Sequence, residues 1–246
     1  ASVLNISAMS FGSLSKNAIL ALNRGAKKGD FYHNTGEGGL SDYHLEAGGD
    51  LVWQIGTGYF GCRTLDGHFD GEKFKEKAAN TSVKMIEIKL SQGAKPGHGG
   101  VLPAIKNTEE IGRMRGIVPH KTVLSPPGHS KFNDAAGLIH FIQELRTLSG
   151  GKPVGFKLCI GRTEEFIELC EVMKKEGIWP DFITVDGAEG GTGAAPLEFA
   201  DSVGVPLEPA LIFVQSTLKK FGLREEIKVI ASGKVLSAFS ILRMKA

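Results

Sequence analysis

The sequence predicts an α/β fold built on parallel strands, a (β/α)8 barrel, and three observations predict it. Apolar, β-branched runs alternate with amphipathic helical runs at intervals of about thirty residues. Nearly every strand-like run ends in glycines or polar residues, and in a barrel those loops share the one face where active sites gather. No GxGxxG follows the first run, which removes the usual fingerprint of an open dinucleotide-binding sheet. A chain of 246 residues lies within the range of single-domain barrels, so residues 1–246 are expected to form one domain.

Taken in order, residues 2–8 (SVLNISA) read as a first strand, passing into Met9-Ser10-Phe11-Gly12. Ser13 or Ser15 can cap a helix running to about Lys28, with Ala18, Ile19, Leu22 and Ala26 on its apolar face. Residues 31–33 are a short candidate strand before the glycine loop NTGEGG at 34–39. Residues 51–56 and the alternating run 83–91 (VKMIEIKLS) are strands, with a short charged helix from Glu72 to Lys77 between them. A helix from Asn107 to Met114 takes Asn107 or Thr108 as cap, and residues 121–125 are extended because Pro126 and Pro127 bias their predecessors out of the helical region. Ala135 to Leu148 is amphipathic and closes at Gly150-Gly151. Strand 153–158, helix Thr163 to Lys175, strand 182–185, helix Leu207 to Phe221, strand 228–231 and a final helix complete the alternation. That makes eight candidate strands.

Composition removes several function classes. The 29 basic and 27 acidic residues nearly cancel, and no run of like charge marks a nucleic-acid or membrane surface. No stretch of about eighteen apolar residues offers a membrane span. Cys62, Cys159 and Cys170 follow no metal spacing, and an odd number without a secretory segment points to a reducing, cytoplasmic setting. No histidine pair has metal-ligand spacing either, and His33, His44, His68, His120, His129 and His140 read as surface or packing residues; no metal site is expected. The expected ligand is a small molecule.

Three features point to where it binds. Phe182-Ile183-Thr184-Val185 breaks at Asp186-Gly187 into a run containing Gly187, Gly190, Gly191 and Gly193, which lets backbone amides approach a ligand such as a phosphate. Ser232 and Gly233 end the following strand, in the position where barrels hold phosphates. Lys157, on the strand VGFKLC with apolar neighbours on the opposite face, either points inward or bears the cost of an unpaired buried charge.

The motifs SAMSFGSLS (7–15), NTGEGG (34–39), KLSQGAKPGHGG (89–100), SPPGH (125–129), VDGAEGGTGAAP (185–196) and IASGK (230–234) stand in this order over almost the whole chain. Together they resemble the flavin-binding domain of the glutamate synthase family, most closely its stand-alone members without a glutamine-hydrolysing half. The resemblance implies a (β/α)8 barrel binding FMN and lacking its last strand within these residues, since the family continues past IASGK with a strand that contacts the phosphate. An iron–sulfur cluster would belong only to a longer form of the chain.

The resemblance also implies residue roles. Ala8, Met9 and Ser10 would lie along the flavin, Gln92 would hydrogen-bond its ring, and Lys157 would meet the N1/C2 edge; Gly187, Gly190, Gly191, Ser232 and Gly233 would hold the phosphate. Lys95 and Arg115 match the oxo-acid ligands, and Glu37 matches a glutamate that assists proton transfer, with Lys95 in the catalytic set beside it. The implied activity is reduction of 2-iminoglutarate, formed from 2-oxoglutarate and ammonia, to L-glutamate, with an electron-donor or ammonia-supplying subunit as partner. His98 and Val101 depart from the family's KPGEGG-Gln segment, and Tyr59 stands where the two-domain synthases have arginine. These departures leave open an FMN oxidoreductase acting on another amino or oxo acid, and a non-catalytic FMN-binding subunit remains a third reading.

Overall fold

The computed structural model describes residues 2–245, which form two compact units interleaved along the chain. The first comprises residues 2–89, Gly99–Lys131 and Glu144–Val154; the second comprises Leu90–His98, Phe132–Gln143 and residues 155–245.

In the first unit Ser15 accepts a hydrogen bond from the Ala18 amide and starts α1 (Lys16–Gly29). Then come β1 (His33–Asn34), α2 (Asp42–Leu45), β2 (Leu51–Ile55), α3 (Gly71–Ala78), β3 (Val83–Lys89), β4 (Val101–Leu102), α4 (Glu109–Arg115) and β5 (Val123–Leu124). Strands β1, β2 and β3 pair in parallel in that order, with Gln54 opposite Glu87 and Ile55 opposite Ile88. Because side chains alternate, one face carries the apolar Leu51, Trp53, Ile55, Ile86 and Ile88. There the fully buried Trp53 stacks on Phe74 of α3 at 5.2 Å. The other face carries a buried polar cluster. The Glu87 carboxylate, 2 % exposed, accepts from Asn34 Nδ2 and Gln54 Nε2, each at 2.7 Å. Two amide donors on one oxygen offset part of the large cost of removing a carboxylate from water. At the foot of the sheet the Lys152 ammonium donates to the carbonyls of Ala78, Asn80 and Val83, which ties the end of α3 to the start of β3.

Helices α5 (Ala135–Leu148), α6 (Thr163–Glu176), α7 (Leu207–Lys220) and α8 (Ala238–Lys245) alternate with β6 (Val154–Leu158), β7 (Phe182–Asp186) and β8 (Lys228–Ser232). In the second unit β6, β7 and β8 pair in parallel in that order. The register sets Lys157 beside Thr184 and Asp186 beside Ser232. Between strand and helix, Phe166 of α6 meets Phe213 of α7 at 5.8 Å, while Ile183, Val185, Val214 and Leu218 are fully buried. Glu189, inside the glycine run, caps α7 by accepting from the Leu207 amide at 3.0 Å.

The helices fall where the caps and periodicity place them, and Thr108 is the cap of α4. The strand count differs in two places. Residues 2–8 make only a parallel bridge from Ile6 to His33, and the apolar Val3 and Leu4 of this run stay exposed. Residues 123–124 pair antiparallel with 101–102 and stand outside the parallel set, since the two prolines that follow remove the amides a ladder needs. The short candidate at 31–33 does supply a parallel strand, displaced to 33–34.

His33 and His44 are wholly buried with rings 5.2 Å apart. His44 is anchored: its Nε2 donates to the Met9 carbonyl at 3.0 Å, so its Nδ1 accepts from Ser41 Oγ at 2.7 Å. Both nitrogens of His33 lack a partner among the described residues. Burial, with His44 beside it, lowers His33 to about 4, and burial lowers His44 to about 4 against the Met9 hydrogen bond. The unfolded chain therefore takes up these protons first, so their contribution to stability is complete above about pH 6.5 and is lost as pH falls toward 4. His33→Phe is expected to flatten the fall of the urea midpoint between about pH 6.5 and 4.5. An unchanged slope in the variant would show that His33 does not titrate on unfolding.

Candidate functional site

In the first unit the loop after β1 presents Glu37. Asn34 Oδ1 accepts from the Gly36 amide at 3.0 Å, so the residue that grips Glu87 also shapes this loop. Glu37 Oε1 accepts from Lys89 Nζ at 2.9 Å, at the end of β3. The carboxylate lies in a slot between two glycines: a Cβ at Gly56 would stand 2.7 Å from Glu37 Oε2, and one at Gly100 would stand 3.2 Å from Oε1.

Arg115, the last residue of α4, is 5 % exposed and directs its guanidinium over the Phe60 ring at 5.0 Å. Its Nη2 donates to the Phe11 carbonyl at 2.9 Å, whereas its Nε has no partner among the described residues. Burial lowers its pKa to about 10, with the Glu37 charge pulling it back up. Gly12 and Gly38 make the room, since a Cβ at either would stand 2.9 Å from Nη2. A buried guanidinium with donors to spare is suited to an oxoanion. Residues 8–10 run alongside: the Met9 amide donates to the Asn34 carbonyl at 3.0 Å, and a Cβ at Gly36 would stand 2.9 Å from the Ser10 nitrogen. Ala8, Met9 and Ser10 are half-buried.

His129, which the sequence reads as a surface or packing residue, is buried and hydrogen-bonded at both ring nitrogens. It is 9 % exposed, with Nε2 2.9 Å from the Lys89 carbonyl and Nδ1 3.1 Å from Tyr59 Oη. Burial lowers its pKa, against the Lys89 hydrogen bond and the Glu37 charge. Tyr59 is fully buried and holds a left-handed φ of 46°.

The second unit is organised by Asp186. Its Oδ2 accepts from the Gly93 amide at 2.8 Å and its Oδ1 from the Ser232 hydroxyl at 2.7 Å. The loop bearing Gln92 and Lys95 is thereby fixed against the end of β7, and Lys95 is 3 % exposed. The Gly187 amide donates to the Ser232 carbonyl at 2.9 Å, and the Gly190 amide to the Gly187 carbonyl at 2.8 Å. These two amides, expected to face a phosphate, are spent inside the loop, and their glycines act by leaving room. A Cβ at Gly233, where φ is 125°, would stand 3.2 Å from the Gly187 nitrogen and 3.5 Å from that of Gly190. At Gly191 a Cβ would meet nothing within 4 Å. Lys157 is 6 % exposed, and its ammonium makes no hydrogen bond or ion pair among the described residues.

The structure thus brings Ala8, Met9, Ser10, Glu37 and Arg115 into one unit, and Gln92, Lys95, Lys157, Gly187, Gly190, Gly191, Ser232 and Gly233 into the other. Asn34, Gln54, Glu87, His129 and Asp186 were missed. For Glu87 the signal was available, as a carboxylate within an alternating strand. Among the described residues no three His, Cys, Asp or Glu side chains form a metal site, and no helix is long and apolar enough to cross a membrane.

Gly93 sets a steric test. A Cβ there would stand 1.6 Å from the Gly187 carbonyl oxygen, a backbone atom that cannot swing aside. Gly93→Ala is expected to cost about 3 kcal/mol or more in urea unfolding. Gly97→Ala in the same loop has open space but a φ of 73°, and is expected to cost only about 1 kcal/mol.

A family model described as the conserved region in glutamate synthase matches residues 1–246. The chain is 47 % identical over 232 residues to the glutamate synthase large subunit-like protein YerD of Bacillus subtilis, covering 94 % of this chain and 44 % of that protein. It is 35 % identical over 239 residues to an archaeal-type glutamate synthase [NADPH] of Thermotoga neapolitana, covering 96 % and 43 %. The chain therefore spans less than half the length of these curated relatives. Among solved structures an aldolase, QR15, superposes with a TM-score of 0.51 at 13 % identity, covering 99 % of this chain and 85 % of that one, a likeness of fold that agrees with the α/β barrel class. With the family model matched from end to end, this chain belongs to the glutamate synthase family.

Proposed function

We propose that this chain is the FMN-binding part of an oxidoreductase of glutamate synthase type that reduces 2-iminoglutarate to L-glutamate. The observation that carries the reading is Lys157, a buried ammonium with no anionic partner of its own among the described residues. Such a cation is costly unless an anion joins it, and a reduced flavin is anionic. The open space at Gly191 suits the cofactor's phosphate, with Ser232, Gly233 and Gly187 closely packed beside that loop. When bound, FMN supplies the hydride that reduces the C=N bond.

The chain's own residues do the rest. Arg115 offers its unspent donors to a substrate carboxylate, and Lys95 offers a point charge to one. Glu37, poised by Lys89, moves a proton at the substrate nitrogen. Gln92 orients the flavin ring through its amide, and residues 8–10 line the cofactor. Ammonia and electrons come from partner subunits or from solution. The alternative, another amino or oxo acid, drew on Tyr59 and Val101. The Tyr59 hydroxyl is engaged by His129 and the Lys131 amide, so Val101, 45 % exposed, is the residue left to favour it.

The deciding measurement is FMN uptake followed by anaerobic reduction and reoxidation. Addition of 2-oxoglutarate with ammonia is expected to reoxidise the flavin and form glutamate, with Arg115→Leu weakening 2-oxoglutarate about 100-fold and Lys157→Met lowering the flavin's potential by removing the adjacent positive charge. Reoxidation by oxygen alone would instead support a non-catalytic FMN-binding subunit, and failure to take up FMN would overturn both.

A further inference from the structure

We propose that Tyr59 and His129 are positioning residues for Glu37, acting through Lys89. The inference rests on the role given to Glu37 above, but its geometry stands by itself. The Lys89 carbonyl can only accept, so His129 Nε2, 2.9 Å away, carries the proton. His129 Nδ1 is then a bare acceptor, and Tyr59 Oη at 3.1 Å must donate to it. The same hydroxyl accepts from the Lys131 amide at 3.1 Å. Each donor is fixed by the one before it, and the imidazole is held in a single neutral tautomer.

Lys89 is therefore held at both ends. His129 holds its carbonyl at the point where β3 leaves the sheet, and its ammonium holds Glu37 at 2.9 Å. A lysine side chain has four rotatable bonds, and fixing its backbone limits the directions in which the ammonium can reach. Tyr59 bears a cost for its place, because a φ of 46° is unfavourable for a bulky side chain and a glycine would adopt it freely. The hydroxyl's bonds to His129 and to the Lys131 amide are the return that a glycine could not give. The charged and titratable groups facing Glu37 among the described residues include Lys89 from β3, Arg115 from α4 and His129 from the loop before Lys131. Loosening the Tyr59–His129 contact frees Lys89 from Glu37 and removes the adjacent positive charge from the carboxylate.

The test uses the full chain with nitrogen-15-labelled histidine. In the wild type His129 is expected to show only the Nε2–H tautomer between about pH 6 and 8, and Tyr59→Phe is expected to show a mixture. In the reoxidation assay with 2-oxoglutarate and ammonia, Tyr59→Phe is expected to move the acid limb of the pH profile up by about one unit and to lower kcat about tenfold with little change in KM. His129→Gln, which keeps a donor for the Lys89 carbonyl, should recover most of the loss seen in His129→Leu. A single tautomer and an unmoved acid limb in Tyr59→Phe, or equal losses in the two His129 variants, would overturn the proposal. If the wild type turns nothing over, the proposed function fails while the tautomer result still decides this inference.

Discussion

The Asp186 carboxylate is the interaction on which the second unit's site depends. It is 6 % exposed, and it spends one oxygen on the backbone of the 90–98 segment and the other on the side chain that ends β8. A buried anion that failed to gather donors would have to be protonated or exposed. By gathering them it brings three glycine-bearing segments to one place: the residues around Gly93, the turn after β7, and Ser232-Gly233. The cost of burying the charge is thus turned into positional order, which a polar loop without an internal anion would lack.

The first unit uses the same device with Glu87, whose two amide donors come from β1 and β2. Asn34 does double work here, since its carbonyl oxygen also holds the loop that presents Glu37. Anions are satisfied inside each unit, whereas the cations Arg115 and Lys157 keep donors in hand. An interior that settles its own carboxylates and leaves buried cations with capacity is electrostatically prepared for anionic ligands. This asymmetry, more than the glycine content, gives the glycine loops a chemical purpose.

Much of this was legible in the sequence, for reasons that differ by element. The helices could be read because caps such as Ser15 and Thr108 act locally and apolar residues recur at helical spacing. Strands β2, β6 and β7 could be read because burial on both faces leaves mostly apolar runs, and β3 because apolar and charged residues alternate along it. The pairing of 123–124 with 101–102 could not, because an antiparallel ribbon of two residues has no periodicity to find. In the site, Lys157 stood out as a charge on an apolar strand and Glu37 as a carboxylate among glycines, whereas Arg115 was marked only by the family resemblance. His129 did not stand out, since its role comes from Tyr59 and Lys89, seventy and forty positions away. For Gly187 and Gly190 the sequence shows only that an amide is accessible in principle, and the fold shows which acceptor each one meets.

The β4–β5 ribbon stands outside the parallel set, yet Gly100, just before it, leans on the Glu37 carboxylate while Val101 is open to solvent. Substitutions at Val101 or at the exposed Leu124 touch neither the parallel frame nor the anions that organise it. Such a ribbon gives descendants of this chain somewhere to vary. Changes there can be tried one at a time beside an unchanged Glu37 carboxylate, so new ligand preferences can arise without first endangering the fold.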